Sequence, residues 1–480
     1  MKYIFSALTI LIASIYTILF TSFGNNIIKP VLEKKIQEQT HLNSKIKNFK
    51  LRFSNLNFIL ELNKNNTLHV DGTFSLISQT FNINYSLNLN ELSTLAPLTT
   101  TKLNGKFNTN GVVKGNLNDF EIIGKSDVAQ SNTNYNLNIK NLQPYKVVSK
   151  IQHLDLKTLL SMLNQKIYAS AKIYTDIKID NLTKNKLDGN INIYTKKSYF
   201  NKKLIKEDYN ISLPKSDFSL KVNTKLIDNK TITSINFKAF AINILVKEAK
   251  LNLQNQKLKS DYQIYIKNLN NLYFITKTKL KGSFRANGKI IKNNDLKISL
   301  FSNFCDGKID ANLNNMELST NVKNINTLKL LDTLRYPQIF NSSLNANLNY
   351  NLVTKKGKFN GKLKDGKFTK NTVLTLVKQY TNTNIYAEKF NGDIKANINK
   401  NKINSSLSLT SNRSSISTKN AKIDTKNKTI DANIEIVANK NPINVKLTGN
   451  INKPHVKVDA NKLIKKEADK AINNFIKNLF

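Results

Sequence analysis

Residues 81–89 read FNINYSLNL, and apolar and polar side chains alternate along the whole of this stretch. The same alternation occurs in residues 135–139 (YNLNI) and 344–350 (LNANLNY), and it dominates the chain from about residue 46 onward. In a β-strand, successive side chains point to opposite faces of the sheet. Period two therefore predicts a sheet with one apolar face and one face of Asn, Ser and Lys.

Five of the Asp-Gly and Asn-Gly pairs in the sequence are read here as turns between the alternating runs. Such pairs favour the tight turns that join neighbouring antiparallel strands, so they predict hairpins and a long antiparallel meander. The pairs are Asp71-Gly72, Asp188-Gly189, Asn287-Gly288, Asp306-Gly307 and Asp365-Gly366.

An eleven-residue frame occurs twice, as TKLNGKFNTNG at 101–111 and as TKLKGSFRANG at 278–288, 177 positions later. Two short helical patterns of the form L-L-x-x-L, at 159–163 and 330–334, follow the two frames and lie 171 positions apart. A weaker third copy begins at 389–394. Repetition of this kind is typical of stacked architectures. We expect the frame glycines at turns or bulges, and its Leu and Phe on the apolar face.

These patterns predict a mainly β protein. We expect an N-terminal transmembrane helix before a long antiparallel sheet of repeated units, with a few short helices at its edge or end and a C-terminal amphipathic helix; with few helices to cover its apolar face, the sheet must curl on itself, pair with a second sheet or hold lipid. The predicted regions are an anchor at 1–24, a connecting helix at 25–45, a first β-groove region at 46–277, a second at 278–460 and a terminal helix at 461–480. In this division residues 278–370 repeat residues 101–200.

The N-terminal segment has no charged residue between positions 3 and 24, and its apolar run of about 20 residues is long enough to cross a bilayer. Residues 21–24 (TSFG) lack the small-x-small site of a cleaved signal, so a retained anchor at 4–23 is favoured over a secretory signal. Lys29, Lys34 and Lys35 follow this segment, and by the positive-inside rule they favour a topology in which the bulk of the chain stays in the cytoplasm. A long β domain is exported largely regardless of charge, so we expect an exported bulk.

Helical periodicity flanks the β region on both sides. Ile28, Leu32 and Ile36 fall on one stripe of a connecting helix, with Pro30 expected in its first turn. Near the C-terminus, apolar positions such as Ile464 and Phe475 recur at helical spacing with lysines opposite. This terminal helix either caps the sheet or lies on a membrane or partner surface.

The net charge of +42, from 74 Lys and Arg against 32 Asp and Glu, would suit a phosphate-rich partner such as nucleic acid or anionic lipid. The lysines are interspersed rather than clustered, so they fit solvent-facing strand positions better. With no Trp and no aromatic RNA-binding signature, nucleic acid is not the expected partner. The single cysteine, Cys305, excludes an internal disulfide and is expected to be a small buried residue.

The sequence lacks the common motifs of catalysis. The sequence has no G-x-S-x-G, Walker A or H-E-x-x-H pattern, and its four histidines lie at scattered positions without metal-ligand spacing. Several aspartates adjoin glycines, where turn chemistry explains them. We therefore expect no catalytic residues, no metal, no cofactor and no enzyme, unless remote residues form a site that one sequence cannot reveal.

The chain resembles the AsmA-like proteins of Gram-negative bacteria, relatives of the translocation-and-assembly-module subunit TamB and of bridge-like lipid-transfer proteins. The resemblance rests on four degenerate motifs. They are an I-x-P-x-L-E-type helix at 28–33 after the anchor, L-x-V-x-G at 68–72, L-D-L-x-x-L-L at 154–160 with its later counterpart, and L-x-G-x-x-x-x-P-x-V-x-V-D at 447–459. The chain uses more lysine than the family usually does and is shorter than its large members.

The resemblance implies a sheet curled into a groove that shelters acyl chains. We therefore expect an inner-membrane-anchored periplasmic protein that binds or conducts phospholipid and supports outer-membrane lipid homeostasis or assembly. The residues expected to line the groove are Phe81, Ile83, Tyr85, Leu87, Leu89, Leu137, Ile139, Leu344, Leu348 and Tyr350.

Two alternatives of other classes remain. One is a scaffold or chaperone for outer-membrane protein insertion, which would contact an envelope protein through its C-terminal end. The other is a structural or adhesive surface protein.

Overall fold

The computed structural model describes residues 14, 16–63, 65–98, 102–183, 186–370, 372–451 and 453–459. The chain divides into two compact units. The first runs to Phe240 and includes Glu248–Asn255, and the second comprises Ala241–Lys247 and the chain from Gln256. The boundary predicted from the sequence, between residues 277 and 278, lies later in the chain than the division between these units.

The first unit is a meander in which each strand pairs antiparallel with the next along the chain, from β1 to β12. The strands are β1 (Ser44–Leu51), β2 (Asn55–Leu62), β3 (Asn66–Ser75), β4 (Thr80–Leu89), β5 (Phe107–Asn116), β6 (Asp119–Ser126), β7 (Asn132–Lys140), β8 (Gln143–Asp155), β9 (Ala169–Thr183), β10 (Lys186–Phe200), β11 (Asp217–Ile227) and β12 (Lys230–Ala239). Residues of β13 (Asn243–Asn252) are divided between the two units.

The second unit repeats this arrangement, with sequential antiparallel pairing from β14 to β26. Its strands are β14 (Leu258–Ile266), β15 (Phe284–Lys292), β16 (Leu296–Phe304), β17 (Gly307–Asn314), β18 (Glu317–Asn326), β19 (Phe340–Asn351), β20 (Lys356–Phe368), β21 (Phe390–Asn399), β22 (Lys402–Thr410), β23 (Ser414–Asp424), β24 (Thr429–Ala438), β25 (Asn441–Asn450) and β26 (Lys453–Asp459). The predicted mainly β architecture with antiparallel strands is confirmed.

Short helices interrupt the strands at regular places. The α-helices are α1 (Ser22–Thr40), α2 (Leu156–Met162), α3 (Lys202–Tyr209), α4 (Tyr273–Thr276), α5 (Thr327–Thr333) and α6 (Thr372–Thr381), and 3-10 segments occupy Leu92–Leu98, Val128–Gln130, Leu269–Leu272 and Ile385–Ala387. The predicted L-L-x-x-L helices are confirmed as α2 and α5, which begin 171 positions apart.

The repeat is longer than the matching frames suggest. The helices α1, α3 and α6 each precede a run of at least four strands, and those runs begin at Ser44, Asp217 and Phe390, 173 positions apart in both steps. In the first two copies the frame leads into four strands, an L-L-x-x-L helix and two further strands. The weak third copy at 389–394 lies at the start of the third of these runs, where Ser44 and Asp217 stand in the first two, and not at the place of the frame.

Buried cores lie where these helices meet the apolar face. In the first unit, side chains from a 3-10 segment and from α2 pack on the ends of β4 and β8, and the buried members are Leu42, Leu89, Leu92, Leu95, Ala129, Leu154 and Met162. In the second unit, Leu374 of α6 and Ile385 pack with Phe390, which is fully buried. The helices thus cover the strand ends in the first unit and part of the face in the second.

The first strand is an edge strand, and α1 covers its free side. Asn25 holds the backbone of Leu51 through two hydrogen bonds of 3.0 Å, one donated by its Nδ2 and one accepted by its Oδ1. The carboxylate of Glu33 accepts a hydrogen bond of 2.9 Å from the backbone N–H of Ile46. Side chains of α1 therefore satisfy backbone groups that a neighbouring strand would otherwise pair.

Most of the predicted glycine turns are wrong. Gly72, Gly189, Gly288 and Gly366 lie inside strands, where neighbouring atoms approach closely. Asp306-Gly307 alone adjoins a hairpin turn among the five pairs. The hairpins instead use two-residue turns with positive φ and no glycine, such as Asp228-Asn229 (φ 48° and 58°). Asp and Asn tolerate this left-handed region better than other residues with side chains, which explains the choice.

The frame glycines split between two roles. Gly105 and Gly282 have φ of 85° and 94° and stand at turns, as predicted, and their carbonyls accept equivalent hydrogen bonds of 2.9 Å from Leu92 and Leu269. The second glycine of each frame lies in the interior of a strand and is neither turn nor bulge.

Other expectations are corrected or lie outside the described residues. Pro30 lies in the interior of α1 rather than in its first turn, because the helix begins at Ser22. Cys305 is only half buried and sits in the β16–β17 turn with φ 47°, so the prediction of a buried core residue is wrong. Most of the expected anchor at 4–23, and the terminal helix at 461–480, fall outside the described residues. No helix in the described part of the chain is long and apolar enough to span a membrane.

Candidate functional site

An unbroken apolar stripe crosses the first unit at right angles to its strands. Each residue in it is the direct cross-strand partner of the next, from β1 to β11, and all of them are aliphatic or glycine. The stripe consists of Leu51, Leu56, Gly72, Ile83, Val113, Ile122, Leu137, Val147, Ile179, Gly189 and Leu226. We call it the first stripe.

Much of the first stripe keeps some accessible surface. Ile83, Val113, Ile122, Leu137 and Val147 are all half buried, although a sheet face packed under a second layer would bury them. Towards the β11 end, Ile179 and Leu226 are buried. The half-buried part is therefore an apolar surface that a ligand could cover.

A corresponding stripe crosses the second unit from β15 to β26. Its members are again direct cross-strand partners, and they consist of Ile290, Ile298, Leu313, Leu318, Tyr350, Gly357, Ile398, Ile403, Ile423, Ile430, Gly449 and Pro454. We call it the second stripe. Its isoleucines and leucines are half buried as well.

The structure places the expected groove residues on these apolar faces. In the first unit, Phe81, Ile83, Tyr85, Leu87, Leu89, Leu137 and Ile139 share one face, and in the second unit Leu344, Leu348 and Tyr350 do so. Ile83, Leu137 and Tyr350 belong to the stripes themselves. Leu89 and Ile139 are buried, and Leu89 belongs to the core of the first unit, so neither presents much surface to a ligand.

Tyr85 has a polar role that the alternation pattern did not predict. It pairs across the strands with Gly111, which pairs with Gly124, which pairs with Tyr135. The two phenols lean over the two glycines and their hydroxyls hydrogen-bond to each other, and the Tyr135 hydroxyl also bonds to that of Thr109. Burial, followed by the bond to Tyr135, raises the pKa of Tyr85 well above its ordinary value.

The second unit also seats aromatic rings on glycines. Tyr262 pairs with Gly288 and donates a hydrogen bond of 3.0 Å to the carbonyl of Ser299. A Cβ at Gly288 would lie 2.2 Å from the Tyr262 ring, so the position has room only for glycine. The glycine of each repeated frame therefore serves as the seat of a tyrosine from the preceding strand in both units, Gly111 for Tyr85 and Gly288 for Tyr262.

The opposite face is polar and basic. One row across it, again of direct partners, runs through Asn110, Lys125, Asn134, Lys150 and Asp176. The lysines therefore lie mostly on the face away from the stripes, which agrees with their interspersed positions in the sequence. Among the described residues, no group of three or more His, Cys, Asp or Glu is placed to hold a metal ion.

Comparison with known proteins adds no family to this description. A scan against protein-family models, a search of curated proteins and a search of solved structures each return no match for this chain.

Proposed function

We propose that this protein is an AsmA-like protein of the bacterial envelope, anchored in the inner membrane with its bulk in the periplasm. The apolar β-face of each unit forms a groove that binds or conducts phospholipid in support of outer-membrane lipid homeostasis or assembly. The observation that carries this proposal is the continuity of the two stripes across their strands. The sequence resemblance supports the same assignment.

The dimensions of the first stripe suit acyl chains. Eleven strands span ten spacings of about 4.8 Å, or at most about 48 Å before twist shortens the distance. One acyl chain reaches about 15 Å, half of the hydrocarbon thickness of a bilayer. The stripe is therefore longer than one chain and offers a path rather than a single seat.

The energetics also favour lipid over water on this face. Each methylene that leaves water gains about 0.8 kcal/mol, and the half-buried side chains of the stripe gain in the same way when they are covered. A continuous stripe changes this gain little from one strand to the next, so a chain can slide without meeting a polar barrier. Movement in one direction would need an external bias, because no reaction is coupled to the sliding.

A photocrosslinking amino acid placed at two adjacent positions tests the proposal. Leu137 belongs to the first stripe, whereas Asn138 points to the opposite face and provides the matched control. In cells, the probe at position 137 should capture phospholipid and the probe at 138 should not. Equal capture at both positions, or lipid-free protein with no adduct at 137, would refute the groove. Capture of an outer-membrane barrel protein without lipid would favour the scaffold alternative.

A further inference from the structure

A bulge with one left-handed residue occurs at the same place in both copies of the repeat. It lies in β8 between Ile151 and Leu154, and in β18 between Val322 and Ile325, just before the L-L-x-x-L helix. The left-handed residues are His153, with φ 60°, and its counterpart Asn324, with φ 53°, 171 positions later. The side chains next to this bulge differ greatly between the copies.

In the first copy, aromatic rings occupy the polar face beside the bulge. His153 Nδ1 lies 2.9 Å from the hydroxyl of Tyr174, and the rings of Tyr174 and Tyr194 stack with centroids 4.8 Å apart. The ammonium of Lys196 lies 4.9 Å from the Tyr174 centroid. This part of the first copy is closed by its own side chains.

In the second copy, the equivalent of the Tyr174–Tyr194 pair is Asn345 paired with Lys362. The side chain of Asn345 accepts a hydrogen bond of 3.0 Å from the backbone N–H of Asn324, so it is held against the bulge. Without the rings, a hollow of about 670 Å³ remains over strands β18 to β21. Asn345 and Lys362, the counterparts of the stacked tyrosines, both line this hollow.

The walls of the hollow are basic and rich in amides. Lys323, Lys362 and Lys395 line it, and Asp393 is its one acidic lining residue among those described. None of the three lysines has an ion-pair partner within the described chain. A row of direct partners, Asn321, Asn347 and Asn360, runs across its floor and ends at Lys395.

We propose that this hollow, on the face opposite the stripes, binds a phosphorylated polyol or sugar. The lysine ammonium groups suit the phosphate as point charges. The asparagine amides provide both donors and acceptors, which is what a set of hydroxyl groups requires. The ligand is either a free polyol phosphate or the same group at the head of a lipid.

Calorimetric titration of the full-length protein with inositol monophosphate tests the site. Changing Lys323, Lys362 and Lys395 together to Ala should weaken binding by at least about tenfold, because the variant loses the three ammonium groups that face the phosphate. The matched control changes Lys114, Lys125 and Lys150, three exposed lysines on the polar face of the first unit, and should leave binding unchanged. Equal losses in the two variants, or no binding by the native protein, would overturn the proposal.

A second variant fills the hollow by copying the first repeat. Asn345→Tyr with Lys362→Tyr should abolish binding while circular dichroism shows the same strand content, and retained binding would place the ligand elsewhere. Flotation with phosphatidylcholine vesicles that contain phosphatidylinositol distinguishes the sources. Vesicle binding lost in the filled variant assigns the site to a lipid headgroup, whereas binding of the soluble phosphate alone assigns it to a free ligand.

Discussion

The hydroxyl oxygens of Tyr85 and Tyr135 lie 2.5 Å apart, although β4 and β7 are separated by two other strands. Three strand spacings correspond to about 14 Å along a sheet, so the contact depends on both phenols leaning towards each other. Gly111 and Gly124 make this possible because no side chain stands between the rings. The pair closes a cross-strand link that no local pattern encodes.

Adding a methyl group beneath this link should destabilise the first unit. A Cβ at Gly124 would lie 2.4 Å from the Tyr85 hydroxyl and 2.5 Å from that of Tyr135. Gly124→Ala should therefore cost about 1–3 kcal/mol by overpacking, measured as the shift in urea denaturation followed by circular dichroism. Gly282→Ala is the control: its added methyl would meet no atom within 4 Å, and its φ of 94° adds only a backbone cost of about 1–2 kcal/mol. An unchanged urea denaturation midpoint in Gly124→Ala would contradict this account.

The raised pKa of Tyr85 predicts a loss of stability in alkali. Below the ordinary tyrosine pKa of about 10, both folded and unfolded chains hold the proton, and the stabilisation is fully present. Above that value the unfolded chain releases the proton first, so stability falls as pH rises towards the folded pKa. The free energy of unfolding of the native protein should decline more steeply above pH ~10 than that of Tyr85→Phe. Identical slopes would show that burial does not act on this phenol.

Removing the cover of the first edge strand should promote self-association. The triple change of Asn25, Glu33 and Gln37 to Ala removes the side chains that bond to backbone groups of β1. Each lost bond should cost about 1 kcal/mol, and the freed edge becomes a template for strand pairing between copies. Sedimentation velocity of the purified chain should show added oligomers. Lys34→Ala with Glu38→Ala, which changes two exposed residues of the same helix, should remain unchanged; oligomers there would remove the link to the edge.

The N-terminal cap of α2 should contribute to the free energy of unfolding, and this contribution should fall in acid. Asp155 Oδ1 accepts a hydrogen bond of 2.7 Å from the backbone N–H of Thr158, and Lys172 lies 3.0 Å from Oδ2. Burial alone would raise the pKa of Asp155, but the bonds to Thr158 and Lys172 outweigh it and lower the pKa. The stabilisation is thus present above the ordinary Asp pKa of about 3.9 and is lost as pH falls through the folded value.

Asp155→Ala should cost about 1 kcal/mol at neutral pH, with the difference from the native protein shrinking in acid. Denaturation midpoints compared across this pH range measure the effect. Asn326→Ala removes the uncharged cap at the same place in the second copy and should give a loss that does not vary with pH in this way. Parallel pH profiles for the two variants would be incompatible with a role for the Asp155 charge.

The faces of the sheet could be predicted from sequence, but their alignment could not. Alternation alone assigned Ile83, Leu137 and Leu348 to the apolar side, because the direction of a strand side chain is set locally. Which residue of one strand meets which residue of the next depends on the turns. Those turns use pairs such as Asp228-Asn229 rather than the Asp-Gly pairs that were expected. The stripes and the Tyr85–Tyr135 contact could therefore not be predicted from the sequence.

The basic hollow was missed for a related reason. Lys323, Lys362 and Lys395 lie on three different strands, and each one looks in the sequence like an ordinary solvent-facing lysine. A signal did exist in the comparison of the two repeats, where Tyr174 in one copy corresponds to Asn345 in the other. Reading it required the positions of the bulges in β8 and β18, which depend on tertiary pairing.

Each stripe takes one residue from each strand. Its continuity therefore depends on the hydrogen-bond register between neighbouring strands and not on the order of residues along the chain. A single-residue insertion in one strand would turn every later apolar side chain of that strand to the polar face and interrupt the stripe at that strand. Loss of a whole hairpin would instead remove two adjacent steps and leave the remaining ends matched. A stripe of this kind stays continuous when whole hairpins are gained or lost, but it is interrupted when a strand gains or loses a single residue.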